Sequence, residues 1–229
     1  MAFLRQPGIV SPEALASLSV TIIGTGAIGS FTALTLAKMG VKKLILYDPD
    51  SVELHNLSNQ FFASDAIGSS KCEITAKECL RQSPDGDLDI ATHSEAFDGT
   101  QSLDSDIIIA VTDNIEGRAA AYKTSRSNPQ CQLFIDARMS AELVRIFALK
   151  RGDLRFHDKY LKDFIEGVEN SEEPCTARSI IYNVLLAASL ISSHVKKFVT
   201  GEVIPFEFSF AFKNLYQVKT RMEVDENDP

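Results

Sequence analysis

LSVTIIGTGAIG, residues Leu18 to Gly29, decides how this chain folds. Its first half is a short β-branched strand. Its second half is a glycine turn that opens onto a helical segment, Ser30 to Met39, stopped by Gly40. Each glycine of a G-x-G-x-x-G between strand and helix has its own purpose. The first permits the tight turn, the second lets a phosphate approach the backbone, and the third lets helix and strand pack closely. The helix start then offers N–H donors and a partial positive charge to an anion. Gly24, Gly26, Ala27, Ile28 and Gly29 are therefore candidate phosphate-binding positions. Taken alone the motif favours NAD, but it does not exclude ATP, because the turn recognises phosphate and ribose rather than nicotinamide.

Outward from that turn, strand and helix alternate. Lys43 to Tyr47 is a second strand, Ser64-Asp65 can cap a turn, and Lys71 to Leu80 has helical spacing. Leu88 to Thr92 and Asp106 to Val111 read as strands, Ile115 to Ser125 as a helix, and Leu133 to Asp136 as a fifth strand. This alternation predicts an α/β fold with a Rossmann-like, doubly wound parallel sheet. Near residue 140 the pattern changes. Glu142 to Leu149 is a longer strand, residues 151–176 read as a charged, irregular crossover with a solvated lid over 159–173, and Ala177 to Val199 is a long helix. Glu207 to Phe212 and Leu215 to Val224 alternate with period two, as in an antiparallel hairpin. We expect a single domain over 1–224, with a nucleotide-binding half at 1–139, an antiparallel half at 140–224 and a flexible tail at 225–229.

Composition narrows the classes. Of 229 residues 45% are apolar, enough for a sizeable core, and the net charge of −8 argues against nucleic acid or an anionic membrane as partner. Cys72, Cys79, Cys131 and Cys175 form no C-x-x-C pair, so neither structural zinc nor a disulfide framework is expected. Free thiols fit a cytoplasmic protein. Cys72, Cys79 and Cys131 read as packing residues. The opening MAFLRQPGIVSPE has no signal-peptide pattern, and the apolar stretch near Ile180 to Ile191 is broken by Tyr182, Asn183 and Ser189.

Two further stretches separate the nucleotides. The second strand ends at Asp48, placed where an acid accepts hydrogen bonds from a ribose, about 20 residues past the glycines. The polar loop that follows, PDSVELHNLSNQ, is longer than a dehydrogenase needs. The fourth strand ends in Thr112-Asp113-Asn114. Asp113 could cap the next helix, or it could hold Mg²⁺, which takes one or two carboxylates plus phosphate oxygens. The long loop beside it favours the metal.

These residues together resemble the ThiF/MoeB/ubiquitin-activating enzyme family. The resemblance rests on Arg5-Gln6, GTGAIG, the D-x-D-x-V-E-x-x-N-L-x-x-Q loop from Asp48 to Gln60, G-x-x-K from Gly68 to Lys71, and Thr112-Asp113-Asn114. It implies adenylation, with ATP and Mg²⁺, of the C-terminal carboxylate of a ubiquitin-like or sulfur-carrier protein by a homodimer. A conjugating enzyme or sulfur donor would then be a further partner, and a peptide or tRNA-linked carboxylate is an alternative substrate. It assigns the ribose to Asp48, the lining of the phosphate channel to Asn56 and Gln60, phosphate contact to Lys71 and Mg²⁺ to Asp113, and it places Asp50, Asn59 and Asn114 among the nucleotide-binding residues. Arg5 would reach the ATP of the partner protomer. The family's usual loop arginine is replaced by Asn59, for which Arg118 or Arg138 could compensate. Cys175, in Glu-Glu-Pro-Cys-Thr-Ala-Arg, would either take a thioester or serve as a small buried residue. The compact length leaves no room for the extra domains of the large eukaryotic enzymes. Two rival readings stay open: a catalytically weak, nucleotide-binding partner subunit, favoured by Asn59, and an NAD-dependent oxidoreductase, which leaves Lys71 and Asp113 idle.

Overall fold

Five apolar segments pair in parallel and three more continue the sheet antiparallel, in a computed structural model that describes residues 3–166 and 179–220. The strands are β1 (Ser19–Ile23), β2 (Lys43–Tyr47), β3 (Asp89–His93), β4 (Ile107–Ala110), β5 (Leu133–Ser140), β6 (Leu143–Lys150), β7 (Glu207–Ala211) and β8 (Tyr216–Thr220). Their order is β3-β2-β1-β4-β5-β6-β7-β8, with pairing parallel through β5 and antiparallel from there to β8. β1 and β4 are buried along their whole length, as apolar runs covered on both faces must be.

Side chains alternate between two apolar layers. Ile107 and Ile109 face a layer with Leu36, Ala33, Cys72, Cys79 and Ile191, supplied by α2 (Ala27–Met39), α3 (Lys71–Gln82) and α6 (Ile181–Val199). Ile108 and Ala110 face the other, with Tyr122, Phe134, Phe147 and Tyr160, beneath α4 (Ile115–Ser127) and α5 (Leu154–Tyr160). A short helix, α1 (Pro12–Ala16), starts on the Ser11 side chain and precedes the sheet. Among the described residues no helix is long and apolar enough to cross a membrane.

Three differences from the sequence reading are informative. α2 begins at Ala27, not Ser30, so the last three residues of the glycine motif are already helical. β5 runs on to Ser140 because β6 pairs with its whole length. The segment read as an irregular crossover is ordered as α5 and a π-helical turn, Leu161–Glu166. Tyr160 and Phe164 are buried there, so residues 159–166 are not a solvated lid. The apolar spacing Phe156, Tyr160, Phe164 anchors this turn on Phe147 and Phe206. The long helix begins at Ile181, with extended Ile180 as its cap, rather than at Ala177; the rest of the expected crossover and residues 221–229 lie outside the described residues.

The strand order reverses between β1 and β4, and connections diverge there. A crevice opens beyond the carboxyl ends of such strands.

Candidate functional site

That crevice is a cleft of about 680 Å³, within the ~300–1,000 Å³ usual for small-molecule sites. Its floor is the glycine turn. Gly24 has φ +95, and a Cβ there would lie 2.8 Å from Thr112 N; one on Gly29 would lie 1.8 Å from Gly24 O. Neither position accepts a side chain. Gly26 differs: the nearest atom to its added Cβ is Gln60 Nε2, at 3.8 Å. The room above Gly26 is therefore cleft, not core. No side chain caps the N-terminus of α2, so its first N–H groups are left to a ligand.

Asp48, Asp50 and Lys71 stand on one wall. Asp48 is buried and accepts hydrogen bonds from Thr25 N at 2.6 Å and Asp50 N at 2.9 Å. Burial pushes its carboxyl above the ordinary value, opposed by those N–H groups and by Lys71. Lys71, also buried, donates through Nζ to Asp50 at 2.8 Å. Asn56 spends its Oδ1 on Glu53 N within a 3₁₀ turn, Leu54–Ser58. Gln60 Oε1 is buried with no partner among the described residues, a polar atom waiting for a donor.

Across the cleft, Asn114 caps α4, accepting from Gly117 N at 2.7 Å. The cap expected as one role for Asp113 thus belongs to its neighbour. Asp113 is exposed on the cleft wall, and its one described contact is a long 3.5 Å bond from Asn114 Nδ2. Among the described residues no group of three or more His, Cys, Asp or Glu can hold a metal alone. A single carboxylate completed by phosphate oxygens and water suits Mg²⁺. Open space at Gly26, the orphaned Gln60 oxygen, Lys71 and a carboxylate without structural duty together fit a magnesium nucleotide.

Beneath this wall, Asp136 is wholly buried. It pairs with Arg118 through Oδ1, with Arg138 through Oδ2 at 2.8 Å, and accepts from Tyr160 OH at 2.7 Å. Arg118 lines the cleft; Arg138 does not, and donates also to Phe164 O. Asn59 also lines the cleft, but its amide donates across the mouth to Ser179 Oγ. Tyr47, Phe97, Met139 and Ser179 join the lining unannounced by any sequence pattern.

Arg5 is exposed in the N-terminal turn, where Gln6 Nε2 holds Met39 O and Phe3 lies against Gly40. That is the far end of α2 from the glycine turn, ~20 Å away for a helix of this length. Arg5 does not line the cleft of its own chain. A groove of about 850 Å³ lies at that end, walled by Phe3, Leu4, Ile9 and Val199, with Glu13 the one charged residue among the described lining. Among the described residues its lining carries no basic side chain to hold a phosphate. Cys175 lies outside the described residues.

Cys72, Cys79 and Cys131 are buried. Burial pushes their thiols up, to about 11, about 12 and about 11. At pH 8 they stay protonated and shielded. Mass mapping after alkylation should find all three unlabelled in the native protein and labelled in denaturant. Native labelling of any of them would contradict this packing.

The ThiF family model matches residues 3–228. Ubiquitin-like modifier-activating enzyme 5 of Aedes aegypti is 35% identical over 134 residues, 51% of this chain and 33% of that protein. Its counterpart in Drosophila pseudoobscura pseudoobscura is 30% identical over 171 residues, 67% and 42% of the two chains. The chain thus spans less than half the length of these relatives. Among solved structures, E. coli MccB with ATP matches with a TM-score of 0.74 and 21% identity, over 94% of this chain and 67% of that one. PaaA matches with a TM-score of 0.74 and 18% identity, over 92% and 74%. At such identities the likeness is one of fold.

Proposed function

We propose, for a chain that belongs to the ThiF family, that the cleft binds ATP with Mg²⁺ and adenylates the C-terminal carboxylate of a small protein or peptide. One observation carries this reading. A single cleft brings together the glycine turn, Asp48, Lys71 and an Asp113 relieved of capping. Hydride transfer would leave the last two without work.

The residues divide the task by chemistry. Asp48 accepts from the ribose hydroxyls. The N–H groups of Gly26 to Gly29 and the Lys71 ammonium face phosphate, with Asn56 and Gln60 beside them. Asp113 would hold Mg²⁺, which when bound supplies charge stabilisation to phosphate oxygens. The acceptor carboxylate is ionised at neutral pH and needs no base. Its oxygen bonds to the α-phosphorus as the bond to the bridging oxygen breaks, and pyrophosphate leaves. Catalysis is then positioning and electrostatics.

The comparisons support the class of substrate. Curated relatives are named as activating enzymes for ubiquitin-like modifiers, and MccB has been solved with AMPCPP and MccA. In a homodimer Arg5 would act in the partner's cleft, which accounts for its distance from its own. Cys175 would be the acceptor if a thioester follows. The turn of Asn59 onto Ser179 favours a second reading, a nucleotide-binding subunit that turns over poorly.

Titration calorimetry tests the first step. ATP is expected to bind only with Mg²⁺ present, and NADH not at all. Binding of NADH without ATP would overturn the reading. Pyrophosphate exchange with a candidate carrier then separates an enzyme from a weak partner subunit.

A further inference from the structure

Among the described residues the cleft is poor in cations for a triphosphate: its lining holds Lys71 and Arg118 against five carboxylates, those of Asp48, Asp50, Asp98, Asp113 and Glu116. Lys71 is already paired with Asp50. Asn59 stands where the resemblance leads one to expect an arginine, and its amide is committed to Ser179. A polyphosphate entering here meets a wall of its own sign, with a low-dielectric floor that strengthens the repulsion.

Arg118 is built differently from a structural arginine. One terminal nitrogen, Nη1, makes all its described bonds: to Asp136 Oδ1, to Ala137 O at 3.1 Å and to Ala110 O at 3.4 Å. Nε and Nη2 make none among the described residues. Asp136 must also serve Arg138, so among the described residues one carboxylate faces two guanidiniums and a positive charge is left over. Buried charge without a counter-ion is costly. An anion in the cleft relieves that cost, and a guanidinium fork suits phosphate.

Resting on the adenylation reading, we propose that Arg118 binds the polyphosphate of ATP from the floor of the cleft, supplying the cation that Asn59 does not. Asp136 is its positioning residue: it fixes one edge of the guanidinium and leaves the other for the ligand. The site thus keeps its charge while moving it from the loop after β2 to the first turns of α4.

The test titrates ATP, ADP and AMP with Mg²⁺ against the full chain and three variants. Arg118→Met should weaken ATP about 10- to 100-fold, as for lost bonds to a charged group, and AMP much less. Arg138→Met removes an equal charge from the same carboxylate outside the cleft but leaves the Arg118 fork in place, so it should weaken ATP clearly less than Arg118→Met does. Asn59→Arg in the Arg118→Met background should recover ATP binding and not AMP binding. If Arg118→Met does not fold, Arg118→Lys replaces it; with charge kept and fork lost, ATP should weaken and AMP should not. Equal losses in the Arg118 and Arg138 variants, or equal losses for ATP and AMP, would overturn the proposal. A wild type that binds no ATP is a different result. It removes the adenylation reading and this proposal with it.

Discussion

Asp136→Ala should lower the stability of this domain by about 3–5 kcal/mol, as expected when one partner of a buried ion cluster is removed. Typical domains have only about 5–15 kcal/mol in total. The loss has an identifiable source. Among the described residues Asp136 is the one carboxylate paired with Arg118 and Arg138, and it takes the Tyr160 hydroxyl as well. Without it, two largely buried guanidiniums lose that counter-charge. The thermal midpoint should fall by roughly 6–20 °C for a domain of this size. Tyr160→Phe, which removes only a neutral donor, should cost about 1 kcal/mol. Denaturant titrations of both variants decide the matter. If Asp136→Ala loses no more than Tyr160→Phe, the cluster is not what holds α4, β5 and α5 together.

Asp113→Ala should do the reverse, sparing the fold and removing the chemistry. Asn114 retains the helix cap, and an exposed substitution away from caps and core shifts stability by no more than about 0.5 kcal/mol. Carrier-dependent pyrophosphate exchange should fall by about 10²–10³-fold, the usual consequence of deleting one electrostatic contributor to a transition state. The Mg²⁺ dependence of ATP binding should weaken in parallel. Asn114→Ala is the matched control: it should cost about 1 kcal/mol through the lost cap. Exchange in Asp113→Ala within a few-fold of wild type would show that the metal is held elsewhere.

The parts of this molecule legible in the sequence are those whose physics is local. β1 and β4 announce themselves as apolar runs, and the glycine turn by its spacing between strand and helix. Asp48, Lys71 and Asp113 were placed by motif, and the fold brings them to one cleft. What was not legible depends on partners distant in sequence. Arg155, His157, Asp158, Lys159 and Lys162 made α5 and the π turn look like a solvated loop, although Phe156, Tyr160 and Phe164 recur at helical spacing. The charges outvoted three aromatics whose burial depends on Phe147 and Phe206. Asp136 sits in an apolar strand with no mark of the two arginines that converge on it. The choice between Asp113 and Asn114 as helix cap is decided by where α4 begins, at Ile115, a boundary that spacing does not fix to a single residue.

The neighbour relation of β1 and β4 sets an order of events in the making of the molecule. Ser19 meets Asp106 across 87 residues of chain, so the first half of the cleft leaves the ribosome without the second. The glycine turn, Asp48 and Lys71 emerge first. At ~5–20 residues per second, Asp113 follows Lys71 by roughly 2–8 seconds. During that interval β1 has one of its two neighbours and an open edge. A nucleotide arriving then finds a cleft without the proposed metal-binding wall. On our reading, cellular ATP can therefore stabilise the finished domain by mass action, but it gives little help to the nascent one, whose exposed β1 must be guarded by other means until β4 arrives.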